Sequence, residues 1–166
     1  MIDPAPTDPR ARELVRRLGL RPHPEGGFYR EIFRSSLAVD PRDGREERSA
    51  LTLIYFLLAD GGHSRWHRVR SDEAWTWVEG DALELFRAAG DGALERVMLG
   101  AAEEDVEAAA VIPAGDWQAA RTTGAYTLVT CAVGPGFDFA DFEMLGDDAA
   151  AADAFRRRHP EAAALI

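Results

Sequence analysis

The residues best suited to chemistry cluster in one stretch, Trp66-His67-Arg68-Val69-Arg70-Ser71-Asp72-Glu73-Ala74-Trp75-Thr76-Trp77-Val78-Glu79-Gly80. Read as two strands around a short turn, the alternation puts His67 and Val69 on one face. It puts Glu73, Trp75 and Trp77 together on a face of the next strand. An imidazole titrates near neutral pH and can take a proton from carbon beside a carbonyl without a metal. A carboxylate among tryptophans must find a cation or keep its proton, and either state suits a working site. Ordinary readings stand beside these. His67 also reads as a hydrogen-bonded structural histidine, and Glu73 as half of a buried ion pair with Arg68, Arg70 or Arg121. Trp75 and Trp77 read as sheet core or as an apolar wall that stacks on a ring. Tyr29 and Tyr55 are candidate proton donors. Arg30 and Gln118 are candidate polar anchors, and Gln118 reads equally as a plain polar strand residue.

The elements that must position these groups are mostly strands. Period-two alternation between turn residues predicts nine: Phe28–Ser35, Ser49–Leu58, Ser64–Val69, Glu73–Val78, Leu83–Ala88, Leu94–Leu99, Ala110–Ile112, Trp117–Arg121 and Tyr126–Val133. Gly61-Gly62, Gly80-Asp81, Gly90-Asp91-Gly92, Pro113-Ala114-Gly115 and Thr123-Gly124 separate them. Many short strands with tight turns imply an antiparallel sandwich or barrel. A helix is expected at each end, over about residues 8–19 and 148–158. Asp8-Pro9 opens the first and Gly19 stops it, while Asp147-Asp148 opens the second and Arg156-Arg157-Arg158 closes it. Asp40–Arg48 reads as a mobile charged loop, and His23 and His159, each beside proline, as surface residues. Phe137, Phe139 and Phe142 read as an aromatic loop closing one barrel end. Gly26-Gly27 reads as backbone geometry before a strand, since no helix start follows it to bind phosphate.

Composition narrows the function classes. The 166 residues suit one domain, and 46% hydrophobic residues suffice for a core. The net charge of −10 argues against nucleic acid and anionic membrane as partners. All 19 basic residues are arginine, which excludes Schiff-base lysine chemistry and a Walker-type phosphate loop. The single cysteine, Cys131, has no partner for an intrachain disulfide and reads as a buried, inert thiol. With no membrane-length apolar run and no signal-peptide pattern, a cytoplasmic protein is expected.

Several motifs resemble those of the cupins. Glu73 and Gly80 match the tail of the first cupin motif. Its metal-binding His-x-His head falls on His67 and Val69, so the second histidine is replaced. The second motif, Pro-x-Gly-x-x-His, falls on Pro113-Ala114-Gly115-Asp116-Trp117-Gln118, with glutamine for histidine. A metal held by this pattern would have only His67, Glu73 and Gln118, and valine offers no ligand. Four blocks together resemble one bacterial and fungal cupin family: Arg21–Glu31, Ser64–Glu73, Pro113–Ala119 and Gly134–Glu143. Where that family often has a histidine after the tryptophan at 75, this chain has Thr76. Gly27-Phe28-Tyr29-Arg30-Glu31-Ile32-Phe33 is also similar to a segment of the dTDP-4-dehydrorhamnose 3,5-epimerases, cupins in which a histidine removes a sugar proton. The resemblance puts His67 in that position, with Gly26 where those enzymes have an arginine.

The resemblance implies an all-β cupin double-stranded β-helix, or jelly-roll barrel, over about residues 26–145, within one domain spanning 1–166. It also implies a homodimer, an association that would cover exposed sheet edges. The function expected is a metal-independent isomerase or epimerase of a small polar ligand, a sugar or nucleotide sugar. His67 would be the base, Glu73 its partner, and Tyr29 or Tyr55 the acid, with Trp75, Trp77, Gln118 and Arg30 holding the substrate. No cofactor is expected. A non-catalytic binding module is the alternative, and a metal-dependent enzyme the third reading.

Overall fold

A computed structural model describes residues 5–90 and 92–166. Its first helix, α1 (Pro9–Leu18), starts where Asp8 accepts hydrogen bonds from the amides of Arg10 and Ala11. It ends at Gly19, whose positive φ of 61° lets the chain turn away. Thirteen strands follow among the described residues. They are β1 (Arg21–Pro22), β2 (Phe28–Arg34), β3 (Ala38–Val39), β4 (Arg48–Ser49), β5 (Thr52–Ala59), β6 (His63–Val69), β7 (Asp72–Gly80), β8 (Leu83–Ala88), β9 (Leu94–Leu99), β10 (Ala109–Ile112), β11 (Trp117–Thr122), β12 (Tyr126–Gly134) and β13 (Phe142–Met144). The second helix is α2 (Ala149–Arg158), capped by Asp148 and followed by a 3-10 segment over Pro160–Leu165. No helix among the described residues is long and apolar enough to cross a membrane.

Two antiparallel sheets face each other. One has the order β1-β2-β5-β12-β7-β10 and the other β13-β6-β11-β8-β9, while β3 and β4 pair separately. Strands adjacent in space but distant in sequence, such as β5 beside β12 beside β7, give the jelly-roll crossover pattern. The inner faces meet in a core that includes Phe56, Leu58, Trp75, Leu85, Leu99, Ile112 and Val129. Each outer face is roofed by a helix. Ala11 and Leu14 of α1 pack with Leu57, Leu128 and Tyr55 over the first sheet. Trp66, Phe86 and Ala119 of the second sheet pack beneath Phe155, Ala162 and Leu165. Trp66 is fully buried there and donates its indole N–H to the Ala162 carbonyl at 2.9 Å.

Expectations for His159 and for the Asp40–Arg48 loop change. His159 is buried, its ring 4.9 Å from that of Phe155. The Asp40–Arg48 segment is tied down at its end, because the side chains of Arg45 and Arg48 both reach the buried carboxylate of Asp141 at 2.9 Å. Arg45 also donates to the Ser71 hydroxyl at 3.0 Å.

Candidate functional site

Alternation on the strands decides which side chains enter the space between the sheets. On β5, Thr52, Ile54 and Phe56 point inward, and on β12, Cys131 and Val133 do the same. On β2 the inward positions are Tyr29 and Glu31. These residues, with His23, Glu25, His67, Val69, Glu73 and the aromatic loop at Phe137 and Phe139, line a cavity of about 310 Å³. β6 reaches it through a bulge. Gln118 pairs with His67 but Ala120 pairs with Ser64, so one extra residue lies between them on β6. The bulge leaves Ser64 beside His67 and Glu25 while Trp66 turns out beneath α2.

The inner end of the cavity is built partly by the turn between β1 and β2. Gly26 there has φ 112°, and a Cβ on it would stand 2.3 Å from the His63 carbonyl oxygen. Only glycine allows this approach, which lays the turn against β6. The Arg65 amide donates to the Glu25 carbonyl at 2.8 Å and fixes the same contact. Glu25 is thereby pressed inward. Its Oε1 accepts from the Ser64 hydroxyl at 2.8 Å, and its Oε2 lies 3.3 Å from His67 Nε2 and 3.4 Å from His23 Nδ1.

The tautomers follow from the neighbours. His67 Nδ1 meets the Arg65 carbonyl at 2.8 Å, so it carries the hydrogen and Nε2 is left as an acceptor. His23 Nδ1 accepts from the Glu25 amide at 3.3 Å, so it too lacks a hydrogen. A proton on Glu25 therefore has an imidazole acceptor on either side. Burial pushes the Glu25 carboxyl up to about 8, against the opposing pull of the Ser64 hydrogen bond. Burial also lowers His67, and lowers His23 to about 3.

Glu73 stands on the other wall. Its Oε2 accepts from Gln118 Nε2 at 2.6 Å, and Gln118 Oε1 accepts from Trp75 Nε1 at 2.9 Å. The three arginines considered as ion-pair partners point elsewhere: Arg68 to Glu143, Arg70 to Asp43 and Arg121 to Glu84. Burial raises Glu73 to about 7. The Cys131 thiol beside it is pushed well above its ordinary range by the same burial, so it stays protonated and donates to Glu73.

The structure thus brings His67, Glu73 and Tyr29 to one cavity and separates the other candidates from it. Tyr55 faces outward under α1, because it alternates with the inward Ile54 and Phe56. Arg30, opposite Tyr55 in the register, lies outside beside the end of α1. Trp75 and Trp77 face inward but pack into the core, with Trp75 edge-on to Phe56 at 5.7 Å. Tyr29, Phe56, Phe137 and Phe139 form the apolar wall instead. Gln118 lies behind Glu73 rather than in the cavity lining. His23, expected at the surface, lines the cavity with its ring 4.5 Å from Tyr29. Glu25 carries no signal of this role in the sequence beyond its place between Pro24 and two glycines.

The metal set suggested by the cupin motifs does not fit these residues. Val69 has no donor, Gln118 has both ends of its amide engaged, and both nitrogens of His67 are matched within the protein. Among the described residues no three His, Cys, Asp or Glu side chains are grouped to hold an ion.

Two raised carboxyls predict how stability responds to pH. From their ordinary value of 4.5 up to about 8, the folded protein holds more protons on Glu25 and Glu73 than the unfolded chain does. The depressed histidines act oppositely, but only below about 6.5. Unfolding free energy is therefore expected to fall between pH 6.5 and 8, by at most about 1.4 kcal/mol per pH unit for each carboxyl. Urea midpoints across that range check this. E25Q should flatten the slope, and a wild-type midpoint that rises with pH would contradict the assignment.

A jelly roll of two facing antiparallel sheets, with a polar-ended cavity between them, is the architecture that cupins share. The chain belongs to the family described as Cupin superfamily (DUF985), which it matches over residues 12–145. A hypothetical protein from Leishmania major is 33% identical, with a TM-score of 0.79 over 93% of this chain and 94% of its own. A protein from Shewanella oneidensis is 31% identical, with a TM-score of 0.78 over 93% and 92%. Oxalate decarboxylase from Bacillus subtilis shares the fold at 14% identity and a TM-score of 0.58, over 84% of this chain and 34% of its own. No curated protein matches the chain.

Proposed function

We propose that the protein binds a small polar carbonyl compound, such as a sugar or sugar acid, and moves a proton on it, as an isomerase or epimerase does. The observation that carries this reading is the inner end of the cavity, where two carboxyls without a cationic partner have pKa values near neutrality. Groups with pKa values near the working pH are the efficient ones for proton transfer.

Ionised Glu73 takes a proton from the carbon beside the carbonyl. The electrons of that C–H bond move toward the carbonyl oxygen, and the Glu25 proton turns from the imidazole to that oxygen. Return of the proton from Glu73 to the opposite face, after the planar enolate turns over in the cavity, gives the epimer. Return to the neighbouring carbon, with that carbon's hydroxyl proton passing to the former carbonyl oxygen, gives the isomer, and no oxidant is needed. His67 was the expected base, but with Nε2 against Glu25 it serves here as the acceptor that governs the Glu25 proton. A cavity of about 310 Å³ is at the small end for ligand sites and suits a monosaccharide. The nucleotide of a nucleotide sugar would lie outside it. Arg21, stacked on Tyr29 at 5.2 Å, is a cation on the lining that suits an acidic substituent.

Incubation with aldoses, ketoses, uronates and keto acids in D₂O tests this by proton NMR. The reading expects one carbon-bound hydrogen of a bound compound to be replaced by deuterium. A compound that raises the Tm without any exchange would make the cavity a binding module and overturn the catalytic part. Y55F and R30A should leave exchange within about twofold of wild type, since both side chains lie on the outer face. A large loss in either would place the site on the wrong side of the sheet.

A further inference from the structure

We infer that Gln118 is a positioning residue for Glu73, and that with Trp75 it confines the carboxyl proton to Oε1. Gln118 is completely buried, and neither end of its amide is free. The Trp75 indole N–H can only donate, so the group facing it at 2.9 Å must be the amide oxygen. The amide NH₂ must then face Glu73 Oε2, at 2.6 Å. Turning the amide over would set N–H against N–H at Trp75 and oxygen against oxygen at Glu73. The order is directional from Trp75 through Gln118 to Glu73.

In a neutral carboxyl the carbonyl oxygen is the better acceptor, so the N–H holds Oε2 in that state and the hydroxyl belongs on Oε1. Four groups face this carboxyl from the packed elements: His67 from β6, Glu25 from the turn before β2, Cys131 from β12 and Gln118 from β11. None of them is a fixed cation. Gln118 is thus a neutral donor that stabilises the ionised form and holds its orientation without closing the site with an ion pair. The catalytic consequence rests on the proton-transfer reading above, whereas the hydrogen-bond order rests on geometry alone.

The test is a ¹³C titration of the glutamate side-chain carboxyls in Q118M and W75F, with E73Q to assign the signal. Q118M keeps the length of the side chain and removes the donor. Its Glu73 midpoint is expected to rise by about one pH unit, a tenfold fall in the ionisation constant. W75F keeps the donor but frees the amide to rotate, so a smaller rise is expected. An unchanged midpoint in a folded Q118M, with only the Tm lowered, would make Gln118 structural and overturn the inference. If Q118M does not fold, an unchanged midpoint in W75F would do the same. The titration needs no substrate. A shifted midpoint in a protein that exchanges no hydrogen would sink the proposed reaction and leave this inference standing.

Discussion

E73Q is expected to slow solvent exchange into a bound carbonyl compound by about a thousandfold or more, while the protein keeps its fold. Glutamine has the shape of glutamate, and its amide oxygen can still accept from Gln118 where Oε2 does. What it lacks is an oxygen that takes a proton. The wild-type rate at low substrate should rise with pH through about 7 as Glu73 ionises, then fall above about 8 as Glu25 loses its proton. Because the two carboxyls sense each other, these limbs belong to the cluster rather than to single residues. E25Q should abolish the upper limb, and H67A should displace it by removing the acceptor on Nε2. Ligand affinity should change little in E73Q. If it exchanged hydrogen at the wild-type rate, Glu73 would not be the base.

Asp141→Ala should cause the largest loss of stability among single changes outside the hydrophobic core. Its carboxylate is the common partner of two guanidinium groups, and all three side chains are at most 10% exposed. Removing the acid leaves Arg48 with the Glu46 and Glu47 carbonyls alone and Arg45 with Asp43 as its carboxylate. Two buried guanidiniums thus lose their shared counter-charge, which costs far more than the pair itself contributes. A fall in Tm on the order of 10 °C is expected by calorimetry. The effect should extend to the cavity, because Asp141 lies in the aromatic loop between Phe139 and Phe142, two rings that pack around His23. A Tm within a degree or two of wild type would show that this cluster is solvated rather than structural.

How far the sequence reveals this arrangement differs by element. Strands β8 and β9 are found at the predicted residues because Gly80, the turn glycines Gly90 and Gly92, and Gly100 bound them, although neither strand alternates regularly in burial. Both helices are legible from their aspartate caps. The orientation of Tyr55 is not. Its strand reads Thr-Leu-Ile-Tyr-Phe-Leu-Leu-Ala, apolar on both faces because the core covers one and α1 the other, so no polar alternation marks the outside. The bulge in β6 is equally invisible, although it decides that Ser64 and His67 share a face.

Within the site, His67 and Glu73 are recognisable as a histidine and an acid on alternating strands. Glu25 is not, because its burial depends on a contact with Ser64 across 39 residues and on the close approach of Gly26 to β6. The same contact hides His23, which local composition places on an exposed proline turn. Trp75 and Trp77 show the limit of a facing argument. They point inward as alternation requires, yet further along β7 than Glu73 they pack in the core cluster or against it, outside the cavity lining.

The central claim is that two buried carboxyls hold protons near neutral pH at the inner end of the cavity. The most direct measurement is a ¹³C titration of the glutamate carboxyls in the wild-type protein, with E25Q and E73Q to assign the signals. Two signals titrating near 7 and 8, one lost in each variant, are the result predicted. Glutamates that all titrate below about 5, in the ordinary carboxylate range, would contradict it.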